Sequence, residues 1–249
     1  MASLPGAAGG LALDRMTSQR VSRILCVADP RGSVEGVERL LQTAAARDAH
    51  AVAVVGDLAG APASHQSYRA VFHALGAGGL ATYWVPGPAD APIAGYLRET
   101  HNIEVVFPQL HGIHGTAAVS PDGHLLFAGL GGTVDDDPEA QREELEALIY
   151  PRWEAEYRLK IIGEFDELER VFLFATPPAH KGKHTEGAEV LAELAATHRA
   201  RLVVCGGERQ SETIGRTLIV APGSLADGHF AIADLHAREV ELEELGAAA

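Results

Sequence analysis

The run Arg23-Ile-Leu-Cys-Val-Ala-Asp29-Pro-Arg31-Gly32 decides the fold. Ile24 to Ala28 are apolar without alternation, the pattern of a strand buried on both faces, and Asp-Pro-Arg-Gly ends it abruptly in a loop. From Ser33 to Arg47, residues Val34, Val37, Leu40, Leu41 and Ala44 recur at spacings of three and four, predicting a helix capped by Ser33. Ala51-Val-Ala-Val-Val-Gly56-Asp57 repeats the buried strand, and a helix near Gln66 to Leu75 follows. A third strand, Thr82-Tyr-Trp-Val-Pro86, ends in Gly87-Pro-Ala-Asp90-Ala-Pro92. This alternation is the βαβ pattern of a mainly parallel sheet, which places ligands at the C-terminal ends of its strands.

Composition narrows the function. The chain has 249 residues, 47% of them apolar and 22% charged, which is globular. Its formal net charge is −14, which disfavours broad nucleic-acid binding because that needs a basic face. No apolar run approaches the roughly 20 residues of a membrane span, and the N-terminus lacks a secretory layout. Cys26 and Cys205 each lie inside an apolar run and read as small buried groups. A reduced, cytoplasmic protein is expected.

Beyond residue 92 the pattern changes. Residues 104–107, 113–119 and 124–130 read as short strands, two of them joined by Pro121-Asp-Gly123, which suggests an antiparallel section. The acidic stretch Asp135 to Glu146 reads as a solvated loop and helix start. Trp153, Tyr157, Ile161 and Phe165 recur at helical spacing between Tyr150 and Phe165, a stripe expected to pack in the core. The sheet resumes at Arg170–Ala175; a helix from Thr185 to His198, a strand at 201–205 and runs at 217–220, 229–234 and 239–243 complete the chain.

Five loops share a position, each following a strand: Asp29-Pro-Arg31, Gly56-Asp57, Gly87-Pro-Ala-Asp90, Ala175-Thr-Pro-Pro178 and Gly206-Gly-Glu-Arg209. Pro222-Gly-Ser-Leu225 lies downstream. In order and spacing they resemble the calcineurin-like metallophosphoesterases, whose loops read Asp-x-His, Gly-Asp, Gly-Asn-His-Asp/Glu, His-x-Pro-Pro and Gly-His-x-His, often with a later Asn-Pro-Gly-Ser. The likeness covers residues 23 to 243. It implies an α/β fold, a four-layer αββα sandwich with mixed sheets. It would occupy residues 21–246 as one domain after a disordered leader, residues 1–20.

The family's chemistry uses two divalent metals about 4 Å apart, sharing a bridging carboxylate and an attacking hydroxide. Asp29 and Asp57 stand at two of those ligand positions. Arg31, Pro88, Ala89, Ala175, Gly207 and Arg209 replace the histidines and asparagine. A guanidinium stays protonated and has no lone pair for a metal, so no cofactor is expected, or at most one divalent ion at Asp29 and Asp57. Arg31 and Arg209 are expected to pair with the two aspartates, either only holding the altered site together or retaining an anion site.

Asp90 is expected to cap the following helix. The expected ligand-binding set is Asp29, Arg31, Asp57, Asp90, His180, Lys181 and Arg209, with Asp57 and His180 as catalytic candidates should chemistry survive. His101, His111, His114 and His124 show no metal-ligand spacing, and Gly129-Leu-Gly-Gly132 lacks a dinucleotide fingerprint.

Three functions follow. One is a non-catalytic relative binding a phosphorylated small molecule, a nucleotide or a protein partner at the former active site. A second is a phosphoesterase or phosphodiesterase with a remodelled or single-metal site. A third is an assembly role, such as a homo-oligomer, using segment 135–146 or an exposed sheet edge.

Overall fold

The computed structural model describes residues 20–180 and 186–246. The expected leader, apart from Arg20, lies outside them, as do Lys181 and Thr185.

Fourteen described strands are β1 Arg23–Ala28, β2 Ala51–Val55, β3 Ala81–Val85, β4 Leu110–Gly112, β5 Ala117–Val119, β6 Leu125–Leu130, β7 Thr133–Asp135, β8 Ile149–Pro151, β9 Glu169–Phe174, β10 Leu202–Cys205, β11 Gln210–Ile214, β12 Thr217–Ala221, β13 His229–Asp234 and β14 Glu239–Glu244. Two six-stranded mixed sheets result, ordered β14-β13-β1-β2-β3-β4 and β11-β12-β10-β9-β6-β5, while β7 and β8 pair separately. Helices α1 Val34–Ala46, α2 His65–Ala77 and α3 Ile93–Val106 belong to the first half of the chain. Helices α4 Glu144–Ala147, α5 Arg152–Leu159 and α6 Glu189–Thr197 belong to the second. The expected mixed-sheet αββα sandwich is the fold observed.

Strand alternation explains the layers. In β1, Ile24, Cys26 and Ala28 join the core between the sheets, whereas Leu25 and Val27 join the core shared with the helices. In β9, Val171 and Leu173 face inward, and Phe172 and Phe174 join the helix-side core. Both strand faces are therefore buried, as the unbroken apolar runs require. Tyr83 and Phe127 stack across the sheets with ring centroids 3.7 Å apart. Ser33 caps α1 by accepting from the Gly36 N–H at 3.1 Å.

Three readings change. Residues 104–106 end α3 instead of forming a strand, and the strand follows at Leu110–Gly112. Strand β11 was not visible as an apolar run because Gln210-Ser-Glu-Thr-Ile214 forms a half-polar edge strand. The stripe on α5 and the 3-10 turn after it does not enter the core: Trp153 is 58% exposed and Tyr157 73%. Ala155, Leu159 and Ile162 are buried instead. A period of four marks a face without saying what that face meets. No helix among the described residues is long and apolar enough to cross a membrane.

Candidate functional site

Asp29 follows β1 and Asp57 follows β2, neighbouring parallel strands whose C-terminal ends lie side by side. Asp29, Arg31 and Asp57 all adopt left-handed backbone, with φ of 48°, 47° and 33°. Non-glycine residues pay for that geometry, and its concentration in two adjoining loops marks a site where side-chain direction matters. The loops are tied by backbone bonds from Arg31 N to Asp57 O at 2.8 Å and from Gly32 N to Leu58 O at 2.9 Å. The Pro-Gly-Ser segment closes against the same turn, where the Ala226 N–H donates to Asp29 O at 3.3 Å.

Gly87, after β3, is dictated by close approach: a Cβ there would lie 2.2 Å from Asp57 N and 2.3 Å from Asp57 Oδ1. The absent side chain lets the Ala89 N–H reach Asp57 Oδ1 at 2.9 Å.

Arg31 lies between the two aspartates. Its Nη2 donates to Asp29 Oδ2 at 3.1 Å, and its Nε is 4.0 Å from Asp57 Oδ2. Half of the Arg31 side chain remains exposed (51%). Burial, reinforced by the Asp57 charge, pushes the Asp29 carboxyl up to about 6 against the pull of Arg31.

Two predicted residues take other positions. Asp90 does not cap α3, whose N-cap is Pro92 with no side-chain bond. Its fully buried carboxylate turns back to accept from the N–H groups of Leu58 at 3.0 Å and Ala59 at 3.3 Å. It also accepts from Gly87 N at 2.8 Å and Tyr68 Oη at 2.9 Å. Burial raises the Asp90 carboxyl despite those donors, which favour its ionised form. Asp90 is thus the clamp that joins the second and third loops. Arg209 does not pair with either aspartate: Nη2 donates to Glu243 O at 3.1 Å, and Nη1 is 3.5 Å from Glu244 Oε1. The main chain and carboxylates of β14, distant in sequence, decide that direction.

His180 is oriented by Glu212 on β11, with Nε2 2.6 Å from Oε1. It lines a groove whose wall does not include Asp29, Arg31 or Asp57. Lys181 lies outside the described residues. Sequence reasoning missed His229, whose Nδ1 lies 3.0 Å from where a Cβ on Gly223 would sit. Gly223 also abuts Arg209 Cβ, so His229 and Arg209 flank the Pro-Gly-Ser turn together. It missed His114 too, which accepts from Gly131 N at 2.9 Å and meets Tyr150 Oη at 2.8 Å. Burial pulls His114 down to about 4, so it is a neutral prop beneath the loop after β6.

The donor set does not fit a pair of divalent ions. Asp29 and Asp57 already share a guanidinium, and Asp90 is committed to backbone and tyrosine donors. Among the described residues no group of three or more His, Cys, Asp or Glu side chains is assembled to hold a metal. A cation fixed between the aspartates repels a second cation and supplies no lone pair.

Residues 16–245 match the model of the metallophosphoesterases of the calcineurin superfamily. The chain belongs to that superfamily. The crystal structure of TT1561 of Thermus thermophilus is 39% identical over 91% of this chain and 100% of that one, with a TM-score of 0.85. A dimetal phosphatase from Danio rerio is similar in fold at 11% identity, covering 92% of this chain and 98% of that one, with a TM-score of 0.62. An archaeal phosphodiesterase, 10% identical, covers 90% and 99% respectively with a TM-score of 0.53. No curated protein matches the sequence.

Proposed function

We propose that this chain is a metallophosphoesterase-fold protein that binds a phosphorylated small molecule at the family's metal position and does not hydrolyse it through a metal pair. Arg31 carries the reading. Its guanidinium has five N–H donors in a fixed fork, and with half of the side chain exposed it retains donors for phosphate oxygens. Such charge-assisted, bidentate contacts are stronger than neutral hydrogen bonds. The raised Asp29 carboxyl reduces the negative charge that an incoming phosphate meets below about pH 6. The alternative of a remodelled hydrolase would take Asp29 or His180 as its base, but Asp29 is engaged by Arg31 at 3.1 Å and the oriented imidazole of His180 lines the other groove.

Calorimetric titration with a phosphate monoester tests this. Arg31→Ala should lose about 1.5–3 kcal/mol of binding, the strength of hydrogen bonds to a charged group, or about 10–150-fold in Kd. Arg31→Lys should fall between, because a point charge lacks the fork. Equal affinities for the wild type and Arg31→Ala would refute the proposal.

A further inference from the structure

An open groove of about 950 Å³ crosses the outer face of the second sheet, between α6 and the β11–β12 hairpin. Its volume is in the range of small-molecule sites. Ala192 and Ala195 line it from α6, and Ile214 and Ile219 from the hairpin. Ile214 is exposed, so apolar surface is open to solvent there.

The charges around this floor are unusual for a chain of net charge −14. Five arginines line the groove, and two are neutralised locally: Arg170 by Asp166 at 3.2 Å and Arg201 by Glu169 at 2.6 Å. The wall carboxylate Glu193 is engaged by Arg152. Arg199, Arg216 and Arg238 make no ion pair among the described residues; Arg238 Nη2 donates only to Gly215 O, at 3.1 Å. Against these three cations stands one wall carboxylate without an ion pair among the described residues, Glu167.

The three arginines come from separate turns, after α6, between β11 and β12, and between β13 and β14. Arg199 and Arg238 adopt left-handed φ of 53° and 61°. Three turns thus bring like-charged side chains to the wall of one cavity, an arrangement that favours an anion.

We infer that this groove is a second binding site, which takes an amphipathic organic anion. Its apolar body lies on the alanine and isoleucine surface, and its carboxylate, sulfonate or phosphate head meets Arg199, Arg216 and Arg238. The site is independent of Arg31.

8-Anilinonaphthalene-1-sulfonate is a suitable probe, having an aromatic body and one fixed negative charge. Fluorescence titration of the full chain should show one saturable site. Combined Arg216→Ala and Arg238→Ala should weaken it at least tenfold, and decanoate should displace it competitively. Ile214→Glu, which places a carboxylate in the apolar wall at an exposed position, should weaken it similarly. Near-ultraviolet circular dichroism identifies any variant that has lost its tertiary packing, and Ile214→Glu keeps the test decisive if the arginine pair disturbs folding. Arg31→Ala should leave probe binding unchanged, so failure here is distinct from failure of phosphate binding at the aspartates. Non-saturating fluorescence, or equal affinity in folded variants, would overturn the inference. So would a dimer on light scattering that the same substitutions dissociate while the probe fails to bind, since the groove would then be occupied by a second copy.

Discussion

Asp90→Ala lowers the unfolding temperature by roughly 6–12 °C. Three backbone N–H groups lose their acceptor in a fully buried position, and the Tyr68 hydroxyl keeps only the Asp90 main-chain oxygen, at 3.2 Å. Alanine supplies no acceptor, and buried donors left unpaired cost about 1–3 kcal/mol each before relaxation or water entry. Taking about 3 kcal/mol in total, and about 2–4 °C per kcal/mol for a protein of this size, gives the stated range. Thermal unfolding followed by circular dichroism reads it, and a loss under 2 °C would show that Asp90 does not clamp the loops. The phosphate site should fail with it, because Gly87 and Leu58 flank the backbone that positions Asp57.

Asp29→Asn moves stability the other way, raising the unfolding temperature by roughly 4–8 °C at pH 7.5. Burial and Asp57 lift this carboxyl from 3.8 to about 6. The native state therefore holds the proton more tightly than the unfolded chain. The stabilising contribution of this protonation is complete below about pH 4 and is lost as pH rises through about 6. At 1.36 kcal/mol per tenfold the full penalty is about 3 kcal/mol, reduced here to about 2 by solvent at a partly exposed group. Asparagine keeps an oxygen for Arg31 and carries no charge to repel Asp57. The gain should vanish at pH 4. A variant less stable than the wild type at pH 7.5 would mean that the Arg31 pair outweighs the burial and repulsion.

The layers were legible because buried parallel strands announce themselves: Arg23–Ala28 and Ala51–Val55 are apolar on both faces, and Ser33 marks the helix between them. The end of α3 was not legible. Ile103, Val105 and Val106 are β-branched, and Val105 is 83% exposed, so local preference reads as strand while Tyr96 and Ile103 anchor the helix by packing. Asp29, Arg31 and Asp57 were found together because neighbouring strand ends bring them there. Asp90 and Arg209 were misdirected because their partners, Tyr68 and β14, come from elsewhere in the chain. Loop order locates a residue at a strand end; the direction of its side chain depends on long-range contacts that no local spacing encodes.

In the proposed reading the Arg31 guanidinium stands where a metal pair would bind. Elemental analysis after equilibration with excess manganese and desalting, paired with bis-p-nitrophenyl phosphate turnover, tests it most directly. The prediction is well under one equivalent of manganese, with turnover at the same background in the wild type and Asp57→Ala. Two retained equivalents, with hydrolysis that Asp57→Ala abolishes, would contradict it.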